Sequence, residues 1–195
     1  MNLVNDIPIT SGGIFIYNLN ISKDYKKYYT SLKYDSDPDS QQSKDKSVLK
    51  NLSEIEKEIN LACCHFIKEI LHMECDYFIF NSWFTLTKPK KESHSHIHSN
   101  SWLSGVYYPE EHKGFNIRFY NDNINVFYTD VKSYNIYNTK YWTITPKKNQ
   151  LVLFHSGIRH KILKNESNKN RYSLAFNLLP KGVFGFLDSK VNFKF

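Results

Sequence analysis

Three of the eight histidines fall within one hexapeptide, Ser93-His94-Ser95-His96-Ile97-His98. In an extended chain alternate residues share a face, so these imidazoles can point the same way and offer nitrogen lone pairs to one ion. Imidazole suits iron, zinc, copper and nickel, and a further ligand must come from elsewhere in the chain. A solvated polar loop that happens to be rich in histidine is the competing reading, and the hexapeptide alone does not decide between them. Farther on, the stretch from Leu151 to His160 reads as an apolar strand, a Ser-Gly turn and a histidine entering the next strand. Eleven residues later, Arg171 to Asn177 alternates, with Arg171, Ser173, Ala175 and Asn177 on one side and Tyr172, Leu174 and Phe176 on the other. An inward arginine is costly unless an anion meets it. Ser173 can donate a hydrogen bond to the same anion, and small Ala175 leaves volume for a ligand.

These residues need a scaffold, and the pattern after Cys75 supplies one. Short β-rich segments separated by turn chemistry run over Tyr77 to Thr87, Ser101 to Tyr108, Phe115 to Tyr120, Ile124 to Tyr128, Tyr141 to Thr145, Leu151 to Phe154, Arg159 to Leu163 and Tyr172 to Leu178. So many strands in so short a span predict a sandwich or jelly roll. Further pieces, Gly13 to Asn18, Gly182 to Leu187 and Val191 to Phe195, extend the sheets. Upstream, Lys33 to Lys46 is polar and reads as a loop. From Ser47 to Met73 the residues Val48, Leu52, Ile55, Ile59, Ala62, Phe66, Ile70 and Met73 recur every three or four positions, which predicts one long helix with its apolar face on a sheet. The fold class expected is α+β, mainly β, in a single domain over 1–195. Residues 1–75 hold a strand, a loop and the supporting helix, 76–180 the β core, and 181–195 a C-terminal extension.

Composition narrows the function. With 195 residues, 41% hydrophobic and 16% aromatic, the chain has the length and apolar content of one folded domain. No apolar run approaches the ~20 residues of a membrane helix, and the opening MNLVNDIPIT lacks the pattern of a secretory signal, which leaves the cytoplasm as the expected location. The net charge of +7 invites a nucleic-acid reading, yet 23 of the 26 basic residues are lysine, and only Arg118, Arg159 and Arg171 offer the planar fork that suits phosphate and guanine. The expected partner is a small molecule or a peptide. Cys63, Cys64 and Cys75 have no paired metal-site spacing and read as reduced core thiols.

His-x-His at the head of one strand, a distal histidine about 60 residues on and Arg-x-Ser on the last core strand together resemble the iron(II) and 2-oxoglutarate dependent oxygenases. The likeness is greatest to their prolyl-hydroxylase-like branch, including bacterial and phage members. It rests on HIHSNSWLSGVYY (His96 to Tyr108), LVLFHSGIRHKI (Leu151 to Ile162) and RYSLAFNLLPKG (Arg171 to Gly182), and covers roughly Asn81 to Gly185. The resemblance implies a cupin-like double-stranded β-helix with Fe(II) as the metal, and 2-oxoglutarate and molecular oxygen as cosubstrates. It implies hydroxylation of an unidentified substrate, with release of succinate and carbon dioxide. His96 matches the first metal ligand and His160 the distal one. Arg171, helped by Ser173, matches the partner of the far carboxylate of 2-oxoglutarate. Tyr108 matches a tyrosine lining the cosubstrate pocket, Ser104 shares its inward parity, and Asn177 matches a position near metal and substrate.

The departure is His98, which stands where the family usually has a carboxylate and would complete a three-histidine site. Two rivals follow from it: a three-histidine cupin-like metalloenzyme that uses no keto acid, and a noncatalytic barrel that binds without metal. Arg171-x-Ser173 speaks against the first and the retained histidines against the second. His94 stays open as a substitute ligand, and Trp83 as either core or substrate platform. His155 reads as a supporting or surface residue. The stretch from Asn121 to Tyr141 reads as a substrate-selecting loop.

Overall fold

The computed structural model describes residues 12–111, 114–122, 130–136 and 138–193. In chain order the elements are β1 (Ile14–Asn18), α1 (Lys26–Ser31), β2 (Gln41–Gln42), a 3-10 turn (Val48–Asn51), α2 (Ser53–His65), a π turn (Phe66–Ile70), β3 (Asp76–Thr87) and β4 (Leu103–Tyr108). There follow β5 (Ile117–Tyr120), β6 (Tyr141–Ile144), β7 (Gln150–His155), β8 (His160–Ile162), β9 (Arg171–Phe184), a 3-10 turn (Leu187–Ser189) and β10 (Val191–Phe193).

Seven strands form the larger sheet, in the order β1-β7-β4-β9-β3-β2 with β10 added on β9, and β6-β5-β8 form the smaller one. Register makes the large sheet two-faced. Across β3, β9 and β4 the pairs Trp83 with Ala175, Thr85 with Ser173, Thr87 with Arg171, and Ser104 with Asn177 lie opposite one another and share the inner face. Their neighbours Phe84, Leu86, Tyr107, Leu153, Leu174, Phe176 and Leu178 point outward and pack on Ile55, Ile59, Ala62 and Cys63 of α2 and on Phe66 and Ile67 beyond it. Each fully buried side chain of this size contributes roughly 1.5–3 kcal/mol, so the outer face anchors the fold. Gly105 sits on that face opposite Phe176, whose ring occupies the space a Cβ would need.

The inner face closes on the smaller sheet. Ile117 and Phe119 of β5 and Ile162 of β8 meet Trp83, Val106, Tyr108, Val152, Phe154 and Ala175 in a second apolar cluster. Two facing sheets of antiparallel strands with a helix behind one of them make the expected double-stranded β-helix, mainly β.

Several sequence expectations change in detail. The helix expected over Ser47 to Met73 is three pieces, of which only Ser53–His65 is α. The π turn inserts an extra residue per turn and swings the apolar stripe round, so Phe66 and Ile67 are buried while Ile70 and Met73 are exposed. His72, with φ of 51°, leaves the helical path altogether. The two late segments merge, because β9 runs unbroken from Arg171 to Phe184. The polar loop at Lys33 to Lys46 carries the short strand β2 and a bridge from Tyr34 to Ser43. The strand expected at Ile124 to Tyr128 lies outside the described residues, as do His112, the last two positions of the expected strand Val191 to Phe195, and part of the stretch from Asn121 to Tyr141. Cys63, Cys64 and Cys75 are free thiols, and no described helix is long and apolar enough to cross a membrane.

Candidate active site

The hexapeptide becomes an edge of the smaller sheet because its backbone pairs with β8. The His96 N–H donates to the His160 carbonyl at 3.0 Å, and the His160 N–H returns a bond to the His96 carbonyl at 2.9 Å. One step along, the His98 N–H donates to the Ser156 carbonyl at 3.0 Å. Alternation then does what the sequence suggests. Ile97 points to solvent, and the ring centroids of His96, His98 and His160 lie 4.4 to 5.4 Å apart. One nitrogen from each falls within 4.8 Å of the other two. A triangle no larger than that puts a central ion within about 2.8 Å of each nitrogen, a small ring rotation from the ~2.0–2.1 Å of a metal–imidazole bond. His94 lies apart, exposed and 3.6 Å from Asp39.

The far side of each ring fixes which nitrogen is free. His96 Nδ1 donates to the His94 carbonyl at 2.9 Å and His160 Nδ1 to the Ile158 carbonyl at 3.0 Å. His98 Nδ1 donates to Asn177 Oδ1 at 2.5 Å, with Ser104 Oγ at 2.9 Å. With every Nδ1–H engaged, each Nε2 keeps its lone pair. Burial, reinforced by the neighbouring imidazoles, pushes His160 down to about 3, and burial also lowers His98, so both rings are neutral as metal ligands must be. The donor set fits a divalent transition metal such as iron(II).

A cavity of about 210 Å³ opens from the three histidines, walled by Trp83, Thr85, Val106, Ile117, Ile162, Ser173 and Ala175, with Asp37 and Asp39 at its rim. It is smaller than the ~300–1,000 Å³ of drug-sized pockets, a volume suited to a small cosubstrate. Trp83, which the sequence left between two roles, belongs to the inner apolar cluster, lines the cavity and has its ring centroid 5.9 Å from that of His98.

One inward position beyond Ser173 lies Arg171, among the largest fully buried side chains described. Its Nη2 donates to the Leu163 carbonyl at 3.3 Å and its guanidinium lies 3.2 Å from the Phe115 ring centroid. Nε and Nη1 have no hydrogen-bond partner among the described residues, and neither does the buried hydroxyl of Tyr108. Burial without a counter-charge pushes Arg171 down to about 9 and raises Tyr108. Arg171 is still a cation at neutral pH, and a buried cation with two idle donors beside an idle hydroxyl is a receptor for an anion.

The structure thus brings His96, His98 and His160 together, and sets Arg171, Ser173 and Tyr108 on the same inner face. Ser104, expected to share the inward parity of Tyr108, and Asn177, expected near metal and substrate, both meet the back of His98. His155 faces the helix side, its ring 6.4 Å from Phe66. Sequence reasoning missed Ser156, read only as part of a turn, and Phe115, read only as the start of a strand. Nothing in the local sequence marks either one.

A family model described as "Putative 2OG-Fe(II) oxygenase" matches residues 81–177. No curated protein matches the chain. Among solved structures, HygX from Streptomyces hygroscopicus, determined with nickel and 2-oxoglutarate bound, superposes with a TM-score of 0.62 at 6% identity, covering 87% of this chain and 84% of that one. A prolyl hydroxylase from Trichoplax adhaerens, in complex with a hypoxia inducible factor peptide, gives 0.59 at 11% identity over 86% and 84%. A prolyl-4-hydroxylase from Pseudomonas putida gives 0.56 at 16% over 88% and 95%. These likenesses establish the fold, and the matched family segment spans all eight residues singled out in the sequence. Over residues 81–177, about half of its length, the chain matches the iron(II) and 2-oxoglutarate dependent oxygenase family.

Proposed function

We propose that the chain is an iron(II)- and 2-oxoglutarate-dependent dioxygenase that hydroxylates a small-molecule or peptide substrate. His96, His98 and His160 hold the metal, and Arg171, Ser173 and Tyr108 bind the cosubstrate. The observation that carries this reading is the idle guanidinium of Arg171, set on the same inner face as the three convergent histidines. A keto diacid bridges those two features, with one end at a cation site and the other at a buried cation.

Bound iron would supply activation of dioxygen, coupled to decarboxylation of 2-oxoglutarate to succinate and carbon dioxide. The protein's own residues do the positioning. Three imidazoles would occupy one side of the metal site and leave the cavity side open. Arg171 and Ser173 fix the distal carboxylate, Tyr108 donates to it from the neighbouring strand, and Val106, Ile117, Ile162 and Ala175 keep water from the space between. A three-histidine enzyme without a keto acid would leave Arg171 buried to no purpose.

Thermal unfolding of the purified chain under anaerobic conditions, with iron(II) or manganese(II) and with 2-oxoglutarate, is the direct test. The metal should raise Tm, and 2-oxoglutarate should raise it further. Lysine offers a point charge rather than a fork, so Arg171→Lys should weaken 2-oxoglutarate binding by ~1.5–3 kcal/mol. Calorimetry giving equal affinity for wild type and Arg171→Lys overturns the assignment. With iron and oxygen present, slow succinate formation should be detectable without a prime substrate.

A further inference from the structure

His96 and His160 are oriented by main-chain carbonyls two residues before each of them, so any sequence that forms this sheet edge orients them. His98 is different. Its Nδ1 is met by side chains from two other strands. Asn177 Oδ1 on β9 lies at 2.5 Å, and Ser104 Oγ on β4 lies 2.9 Å from the same nitrogen and donates to that Asn177 oxygen at 2.7 Å. Behind Ser104, Ser156 Oγ stands 2.7 Å away, and Ser101 Oγ lies 2.9 Å beyond it. Ser104 and Ser156 are fully buried, Asn177 nearly so. Ser156 also holds the His98 backbone directly, since its carbonyl accepts the His98 N–H.

From this geometry we infer that Asn177 and Ser104 are positioning residues that make His98 a metal ligand: they hold its ring in the Nδ1–H form and aim Nε2 at the metal. The inference rests on the proposed metal site and deepens it. Two donors, Nδ1–H and the Ser104 hydroxyl, share the Asn177 oxygen. A ring protonated on Nε2 instead would set the Nδ1 lone pair against that oxygen at 2.5 Å, and its Nε2–H would face the other two histidines. With the Asn177 amide in this orientation, the polar relay behind position 98 presents an acceptor oxygen, which suits the Nδ1–H of a histidine.

The test uses the full chain, metal-free and then titrated anaerobically with cobalt(II), whose visible absorption reports binding without turnover. Asn177→Ala should lower cobalt affinity about ten- to a hundredfold, the usual cost of losing the partner of a ligating histidine. Asn177→Asp keeps an acceptor at Nδ1 and should retain wild-type affinity or exceed it. Long-range proton–nitrogen NMR of the metal-free protein, at a pH where the rings are neutral, should show His98 as the Nδ1–H tautomer in wild type and a shift toward Nε2–H in Asn177→Ala. A merely structural asparagine would move neither the tautomer nor the rescue by aspartate. If Asn177→Ala does not fold, Ser104→Ala replaces it, with a several-fold loss of cobalt affinity expected. Wild type that binds cobalt, with the variants within twofold and the tautomer unchanged, overturns this inference alone. Wild type that binds no cobalt overturns the proposed function, and this inference with it.

Discussion

The two faces of the large sheet are built from the same strands yet obey opposite rules. On the outer face Phe84, Leu153, Leu174 and Phe176 are fully buried against α2 and the segment after it. The inner face carries Arg171, Ser173, Asn177, Ser104 and Tyr108, all buried, and two of these have polar atoms without partners. Because side chains alternate, one residue step separates a position that stabilises the fold from one that serves a ligand. Stability and ligand binding should therefore separate cleanly by parity.

The largest expected effect is on the outer face. Phe84 packs on Tyr28 and Tyr29, and Phe84→Ala should cost ~3–5 kcal/mol in urea unfolding while the folded fraction keeps its cobalt affinity. A tenfold loss of cobalt affinity there would show that the two faces are coupled. Arg171→Met should act in the opposite direction: removing an unpaired buried charge should stabilise the ligand-free chain by ~1–4 kcal/mol and abolish its response to 2-oxoglutarate. A destabilised Arg171→Met would mean that the guanidinium already has its partner. Gly105→Ala drives a methyl group into the Phe176 ring and to 2.8 Å from Leu153 Cδ2, and overpacking of this kind should cost ~1–3 kcal/mol by chemical denaturation. The smallest effect sharpens the contrast most. Ser173→Ala should leave Tm of the ligand-free chain unchanged and weaken 2-oxoglutarate binding by ~0.5–1.5 kcal/mol in calorimetry.

What could be read in the sequence was whatever is written locally. Alternation at Arg171 to Asn177 and at His96 to His98 is a short-range property, and it placed both the strands and the inward residues correctly. The helix was misjudged because period alone does not reveal a π turn. Ile70 and Met73 continue the spacing in the sequence, although the π turn has already rotated Ile70 outward and the chain leaves the helical path before Met73. Asn177 and Ser104 were recognised as inward, and Asn177 as near the metal, but neither was tied to His98. What fixes their place at His98 is a set of contacts spanning up to 79 residues, which no window of sequence contains.

The bridge between His96 and His160 also bears on how the proposed metal site would load. Two residues that exchange both backbone hydrogen bonds acquire their backbone separation when the sheet folds. An ion held by both would meet main chain already in place, with only the imidazole rings left to turn.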